Sequence, residues 1–130
     1  MRAVLILAVI FATTAAFAAL PPQYYDEARA NAESVLVVQI DRTLGLPIMR
    51  GYGACRLSGR VAAVERGARY SVGEAVTISV PCRRQNAQIP ASGVQYEDVG
   101  ELRRSRWGRA WLNANGELAL YQYEILASYP

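Results

Sequence analysis

Histidine and lysine are missing altogether from this 130-residue sequence, and cysteine occurs only twice, at positions 55 and 82. Each shortage removes a class of chemistry. Without histidine, a Ser-His-Asp or Cys-His nucleophile lacks its base. Zinc sites take most of their ligands from His and Cys, and two cysteines that pair with each other leave none to spare. The sequence has no G-x-x-x-x-G-K-[ST] loop to cradle a nucleotide phosphate. It also has no Asn-x-Ser/Thr glycan acceptor. The expectation is a protein with no metal site, no cofactor and no catalytic set. All 14 basic residues are arginine, in a chain rich in Ala and Gly, which is the pattern a GC-rich coding bias leaves. The formal net charge is only +3, too mild a basicity to imply a nucleic-acid partner.

What is present starts with an export signal. Arg2 supplies a positive start and Ala3 to Phe11 is an unbroken apolar run. Small residues follow and end in Ala16-Phe17-Ala18, an A-x-A site with cleavage expected before Ala19. Cutting one residue later would put bulky Phe17 at the −3 position. Pro21 and Pro22 break any helix continuing from the apolar run. The weakly hydrophobic Ala/Thr second half argues against a retained membrane anchor, and no Cys at the junction offers a lipid attachment point. The division is therefore residues 1–18 as signal peptide and 19–130 as a single exported domain, secreted or periplasmic, with no membrane span after cleavage. Export favours a Cys55–Cys82 disulfide, and a domain this small often uses such a staple.

Residues 21–34 read as a short helix with Pro22 in its first turn, Asp26 and Glu27 early, and Tyr25, Ala28 and Ala32 facing inward. Val35 to Ile40 reads as a central strand, and Leu44 to Gly53 as a loop. Residues 54–64 and 75–80 form a hairpin around a polar loop at 65–73. Placing Cys55 opposite Cys82 sets Leu57 opposite Val80, Gly59 opposite Ile78 and Val61 opposite Val76, which gathers the apolar residues on one face. The closed loop of about 28 residues corresponds to roughly 3–4 kcal/mol in the chain-entropy account of disulfides. Residues 83–105 read mainly as loop, with a short strand at Val94 to Val99. A second hairpin joins 107–112 to 118–126 around Asn115-Gly116, a strong turn signal. A two-residue turn there would put Trp111 opposite Leu120; a longer loop shifts the pairing by two, and both registers stay open. Many short strands with Gly and Pro turns predict a mainly β fold. The expected form is a small five-stranded barrel of the oligonucleotide/oligosaccharide-binding (OB) type with a short N-terminal helix, the alternative being a β-sandwich.

Two clusters carry candidate function. Arg103, Arg104, Arg106, Trp107, Arg109 and Trp111 combine the residue types that dominate binding hot spots. Along a strand, Trp107, Arg109 and Trp111 alternate onto one face. The competing reading buries Trp111 and lays arginine stems over it. Glu97, Asp98 and Glu101 are the remaining catalytic option, since paired carboxylates perform glycoside hydrolysis. Against that, charge clusters in loops are usually solvated.

Cys55-x-x-x-Gly59-x-Val61-x-x-Val64-x-x-Gly67, then Gly73 to Cys82, then the hairpin at Asn115-Gly116 together resemble small exported bacterial proteins with an OB-like barrel. The layout is also similar to netrin-like modules and tissue inhibitors of metalloproteinases. In those inhibitors a mature N-terminal Cys engages the protease metal. Here the expected mature terminus is Ala19 with no Cys near it, so only the architecture carries over. The sequence points to a non-enzymatic, disulfide-stapled protein-interaction module whose partner is an envelope or extracellular protein. An oligosaccharide-binding module is the alternative, and a carboxylate-dependent hydrolase the second.

Overall fold

The computed structural model describes residues 20–47 and 49–130; the expected signal segment and its 18/19 junction lie outside them. Helix α1 (Pro22–Asn31) begins with proline at its first position, where a missing N–H costs nothing. Tyr25 and Ala32 are buried and Ala28 half-buried, the face expected from their spacing. Asp26 and Glu27 fall beyond the first turn, contrary to expectation, so they do little for the helix dipole. At the other end, Arg66 donates from Nη1 to the carbonyls of Arg29, Ala30 and Ala32 at 2.7–3.2 Å. An arginine remote in sequence thus satisfies the orphan acceptors of the last turn.

Among the described residues a single sheet forms, with strands in the order β4-β3-β2-β1-β5-β6. These are β1 (Ser34–Leu44), β2 (Tyr52–Arg66), β3 (Ala75–Arg83), β4 (Glu97–Asp98), β5 (Trp107–Leu112) and β6 (Leu118–Leu126). All neighbours are antiparallel except β3 and β4. The sheet curls into a half-barrel, and the non-adjacent strands β3 and β6 approach each other across it. The fold is therefore mainly β and barrel-like, with six strands rather than five; the sixth is the two-residue β4. One curled sheet replaces the two stacked sheets of a sandwich.

Strand β1 is central, as its β-branched run implies, and its residues 34–38 are buried on both faces. Leu36, Val38 and Ile40 enter the main core with Leu57, Val61, Ile78, Val80 and the two cysteines. Val35 faces the other way, into a small cluster with Ala32 and Trp111 under α1. Three register shifts interrupt the β1–β2 ladder. Such bulges bend and twist a strand, which is how a sheet this small curls. Gly59 lies opposite Ile40 at the tight point: a Cβ there would come within 2.1 Å of the Gln39 carbonyl oxygen.

The Cys55–Cys82 disulfide is present, with Cα atoms 5.8 Å apart. The strand register differs from expectation. Cys55 lies opposite Val80, Leu57 opposite Ile78, Gly59 opposite Val76, and Cys82 opposite Gly53. The bridge is diagonal, two residues out from direct opposition. A two-residue slip keeps every side chain on its face, so the sorting of apolar residues is the same in both registers. The connecting loop decides between them: Val61 N–H donates to the Glu74 carbonyl and Gly73 N–H to the Val61 carbonyl, with Gly73 at φ +89°. Glycine supplies that left-handed turn without a Cβ clash.

The second hairpin occupies residues 107–112 and 118–126, as expected, around a five-residue loop rather than a two-residue turn. Asn113 closes it, its Oδ1 accepting from the backbone of Asn115 and Glu117. Leu112 pairs with Leu118, yet Ala110 pairs with Tyr123, so four residues of β6 face Trp111 alone. Leu120 and Tyr121 take left-handed conformations inside this bulge, at φ +44° and +61°. The bulge turns Gln122 inward. Gln122 accepts from Arg29 at 2.8 Å and donates to Gln95 and the Leu120 carbonyl, tying α1, the 95-loop and β6 together.

Helix α2 (Val99–Arg104) was not expected. Asp98 caps it, accepting from Glu101 N–H at 3.0 Å, and Leu102 is fully buried. It crosses the end of the half-barrel where β1 and β3 finish and β5 begins, with Thr43 donating to the Leu102 carbonyl.

Candidate functional site

The arginine/tryptophan cluster is divided among three environments. Trp111 is only 8% exposed, packed under α1 with Ala32 and Val35. A cation covers it, but that cation is Arg29 of the helix, with its guanidinium carbon 4.0 Å from the ring centroid. Arg109, on the same face of β5, donates to Glu65 at 2.5 Å and to Glu124 at 3.4 Å. The hydrogen bond to Glu65 holds its guanidinium charged even more firmly than usual. These two residues serve the outer face of the sheet, knitting β2, β5 and β6 beneath the helix.

The other four stay together at the barrel end. Arg103 and Arg104 are the last residues of α2, and Arg106 and Trp107 follow its cap at Ser105. Ser105 holds the turn by donating from Oγ to the Leu102 carbonyl at 2.7 Å. Arg103, Arg104 and Arg106 are exposed and, among the described residues, form no ion pair. Trp107 is half-buried, its ring edge-to-face with Tyr129 at 5.2 Å, a favoured aromatic geometry.

Between α2 and the end of β6 lies an open cleft of about 370 Å³, lined by Glu101, Arg104, Ser105, Arg106, Trp107, Ile125, Leu126 and Ala127. Trp107 pairs directly with Leu126 across the ladder, which gives the cleft its apolar floor. On the other side of α2 a second cleft of about 450 Å³ is lined by Leu46, Arg84, Gln85, residues 98–101, Arg103 and Arg104. Arg104 and Glu101 border both. The arrangement therefore sets a mainly apolar slot on one flank of a short helix and, on the other, a polar cleft where three arginines meet Asp98 and Glu101.

No protein-family model, curated protein or solved structure matches this chain. The site must be read from its own chemistry.

The carboxylates split in role. Asp98 is committed to capping α2. Glu97 is half-buried, and burial, then the neighbouring Glu101, raises its carboxyl above the ordinary glutamate value. Tyr123 stands close enough for Glu97 to raise its phenol further, after the larger effect of burial. Its hydroxyl has no hydrogen-bond partner among the described residues. Among the described residues no cluster of three His, Cys, Asp or Glu is placed to hold a metal ion. The contributions of Ile125, Leu126 and Tyr129 were invisible in the sequence, because they depend on the register of the second hairpin. The helix that presents Arg103 and Arg104 did leave a signal: Asp98-x-x-Glu101 has the spacing of an N-terminal cap.

Proposed function

We propose that this chain is an exported, non-enzymatic, disulfide-stapled domain that binds another envelope or extracellular protein through the α2 end of its half-barrel. One observation carries the reading: Arg103, Arg104 and Arg106, without ion pairs among the described residues, flank the apolar slot of Trp107 and Leu126. Arginine and tryptophan beside a small apolar recess are the commonest anchors of protein interfaces. The disulfide accords with an oxidising compartment. No described helix is long and apolar enough to cross a membrane. Carboxylate catalysis is less favoured, since Asp98 already caps a helix.

The test is capture from envelope extract by the purified oxidised protein, with Trp107→Ala and Arg106→Glu run alongside after their melting curves show intact folding. A partner held by the parent and lost from both variants supports the reading. Equal recovery by folded variants returns this end of the barrel to a purely structural role. The half-exposed Trp107 also favours a second reading, an oligosaccharide stacked on its ring. With Trp111 buried, an emission change on titrating cell-wall glycans would report Trp107.

A further inference from the structure

Resting on that reading, we infer that the partner presents an extended acidic segment with one large apolar side chain, the side chain filling the slot at Trp107 and the carboxylates meeting Arg103, Arg104 and Arg106. The charge balance of this end is the first argument. Three exposed arginines occur within four residues, with Glu101 as the carboxylate bordering the slot. None of the three forms an ion pair or donates a side-chain hydrogen bond among the described residues; Arg42, Arg50, Arg56 and Arg83 are equally unengaged but are scattered along β1, β2, β3 and the loop before β2, whereas these three share one rim. A guanidinium is a rigid planar fork that fits a carboxylate with two parallel bonds. Three such forks left free on one rim call for an anionic partner.

The slot sets the second requirement. Its volume of about 370 Å³, with Trp107, Ile125 and Leu126 as apolar walls, takes a leucine- or phenylalanine-sized group with space to spare. It is open to solvent, so an acyl chain lying in it would keep one side in water. Arg104 borders both clefts, so a segment seated in the apolar slot passes directly beside Arg103 and Arg104, whose charge outweighs that of Glu101 at the slot's edge. Anchor and charges therefore sit within a few residues of each other on the ligand, the spacing an extended peptide provides. A lipid surface would use the arginines but leave the slot empty, and a sulfated glycan could stack on Trp107 but offers no apolar side chain to Ile125 and Leu126.

The probe is a fluorescein-labelled nonapeptide with four Asp/Glu residues around a central Leu. Its controls are the same peptide with Ser for Leu, and one with Asn/Gln for Asp/Glu. Fluorescence anisotropy with the oxidised protein should show saturable binding of the parent peptide that weakens as salt rises from 50 to 300 mM. Either control peptide should bind at least about tenfold more weakly. Arg104→Glu and Arg106→Glu, both at exposed positions and so expected to fold, should each cost about tenfold. Arg60→Glu in the β2–β3 hairpin should leave binding unchanged.

Anisotropy that does not change, or equal binding of the neutral peptide, overturns the inference. So does tighter binding to anionic phosphatidylglycerol vesicles or a sulfated oligosaccharide than to the peptide. Self-association of the protein alone that Arg106→Glu abolishes would make a second copy the occupant and overturn it as well. The two readings fail separately. A captured envelope protein lost with Arg106→Glu, together with peptide failure, leaves the interaction module standing and removes only the acidic-segment chemistry.

Discussion

Adding one methyl group at Gly108 should cost about 2 kcal/mol, and the reason is a single contact. A Cβ built there would lie 1.9 Å from Tyr123 Oη, 2.4 Å from Cζ and 2.9 Å from Cε2. Ordinary carbon contacts sit at about 3.5–4 Å, so the ring must move by more than an ångström. Tyr123 is 4% exposed and belongs to the main core, so it has little room to go. Overpacking of this kind costs about 1–3 kcal/mol, and the severity of the clash argues for the upper end. Replacing glycine with alanine in a strand returns about 0.5–1 kcal/mol through backbone entropy. The balance is about 2 kcal/mol, or a melting-point loss of about 8 °C at this size. Tyr123→Phe should behave oppositely. Its hydroxyl is buried without a partner among the described residues, and removing an unsatisfied group relieves about 1 kcal/mol or more. In the double variant the 1.9 Å contact disappears but the 2.4 Å contact stays, so relief is partial and the two changes couple by about 1 kcal/mol. Urea unfolding of the four oxidised proteins, followed by tryptophan emission, measures all of this. Gly108→Ala as stable as the parent, or additivity within about 0.3 kcal/mol, would refute the packing argument. A loss on Tyr123→Phe would show that the hydroxyl has a partner.

Reducing the disulfide, or replacing both cysteines with alanine, should lower stability by about 3–4 kcal/mol for a closed loop of this length; a loss below about 1 kcal/mol in urea unfolding would contradict it. Glu97 is raised by burial and then by Glu101, so between the ordinary glutamate value and the raised one the folded protein keeps a proton that the unfolded chain has released. Its contribution is full below the ordinary glutamate value and is lost as pH rises through the raised one. Glu97→Gln should therefore stabilise the protein at neutral pH, and the gain should vanish below about pH 4. A gain equal at both pH values would show that charge is not its origin. Arg66→Ala should free the C-terminus of α1, raising hydrogen exchange across residues 22–31 and costing about 1 kcal/mol. Unchanged protection of that helix would mean that the three carbonyl contacts carry no weight.

The elements were legible where a residue's role is local. The proline at the start of α1, the β-branched run of β1 and the two hairpins each read directly from composition and period. The hairpin register was not, and the cause is instructive. Opposing the cysteines and sorting the apolar residues looked like two criteria, yet both depend only on parity along the strand. A slip of two residues satisfies both, and the Gly73 turn, not the cysteines, chose the answer. The second hairpin failed differently. Its loop and its bulge, with left-handed Leu120 and Tyr121, change parity midway. Neither leucine nor tyrosine announces such a conformation, because nothing in the side chain favours it. The bulge is held from outside, by Gln122 reaching Arg29 and Gln95.

The site shows the same division. Its residue types were visible as a run of arginines and tryptophans, but which of them share a surface was not. Trp111 and Arg109 alternate with Trp107 in sequence, and still Trp111 is covered by a helix and Arg109 is held by two carboxylates.

By itself, the sequence determined what is set by composition and by neighbours in the chain. That covers the β-rich class, the hairpin pairs, one available disulfide and the shortage of side chains for histidine- or thiol-based chemistry. Tertiary structure alone decided what depends on residues far apart meeting. Those outcomes are the curl of the sheet, the diagonal placement of the disulfide, the capping of α1 by Arg66 and the seating of Leu126 against Trp107. The physical reason is range. Propensity and periodicity act over a few residues, whereas these pairwise contacts join positions 19 to 37 apart and are chosen by packing the whole core at once.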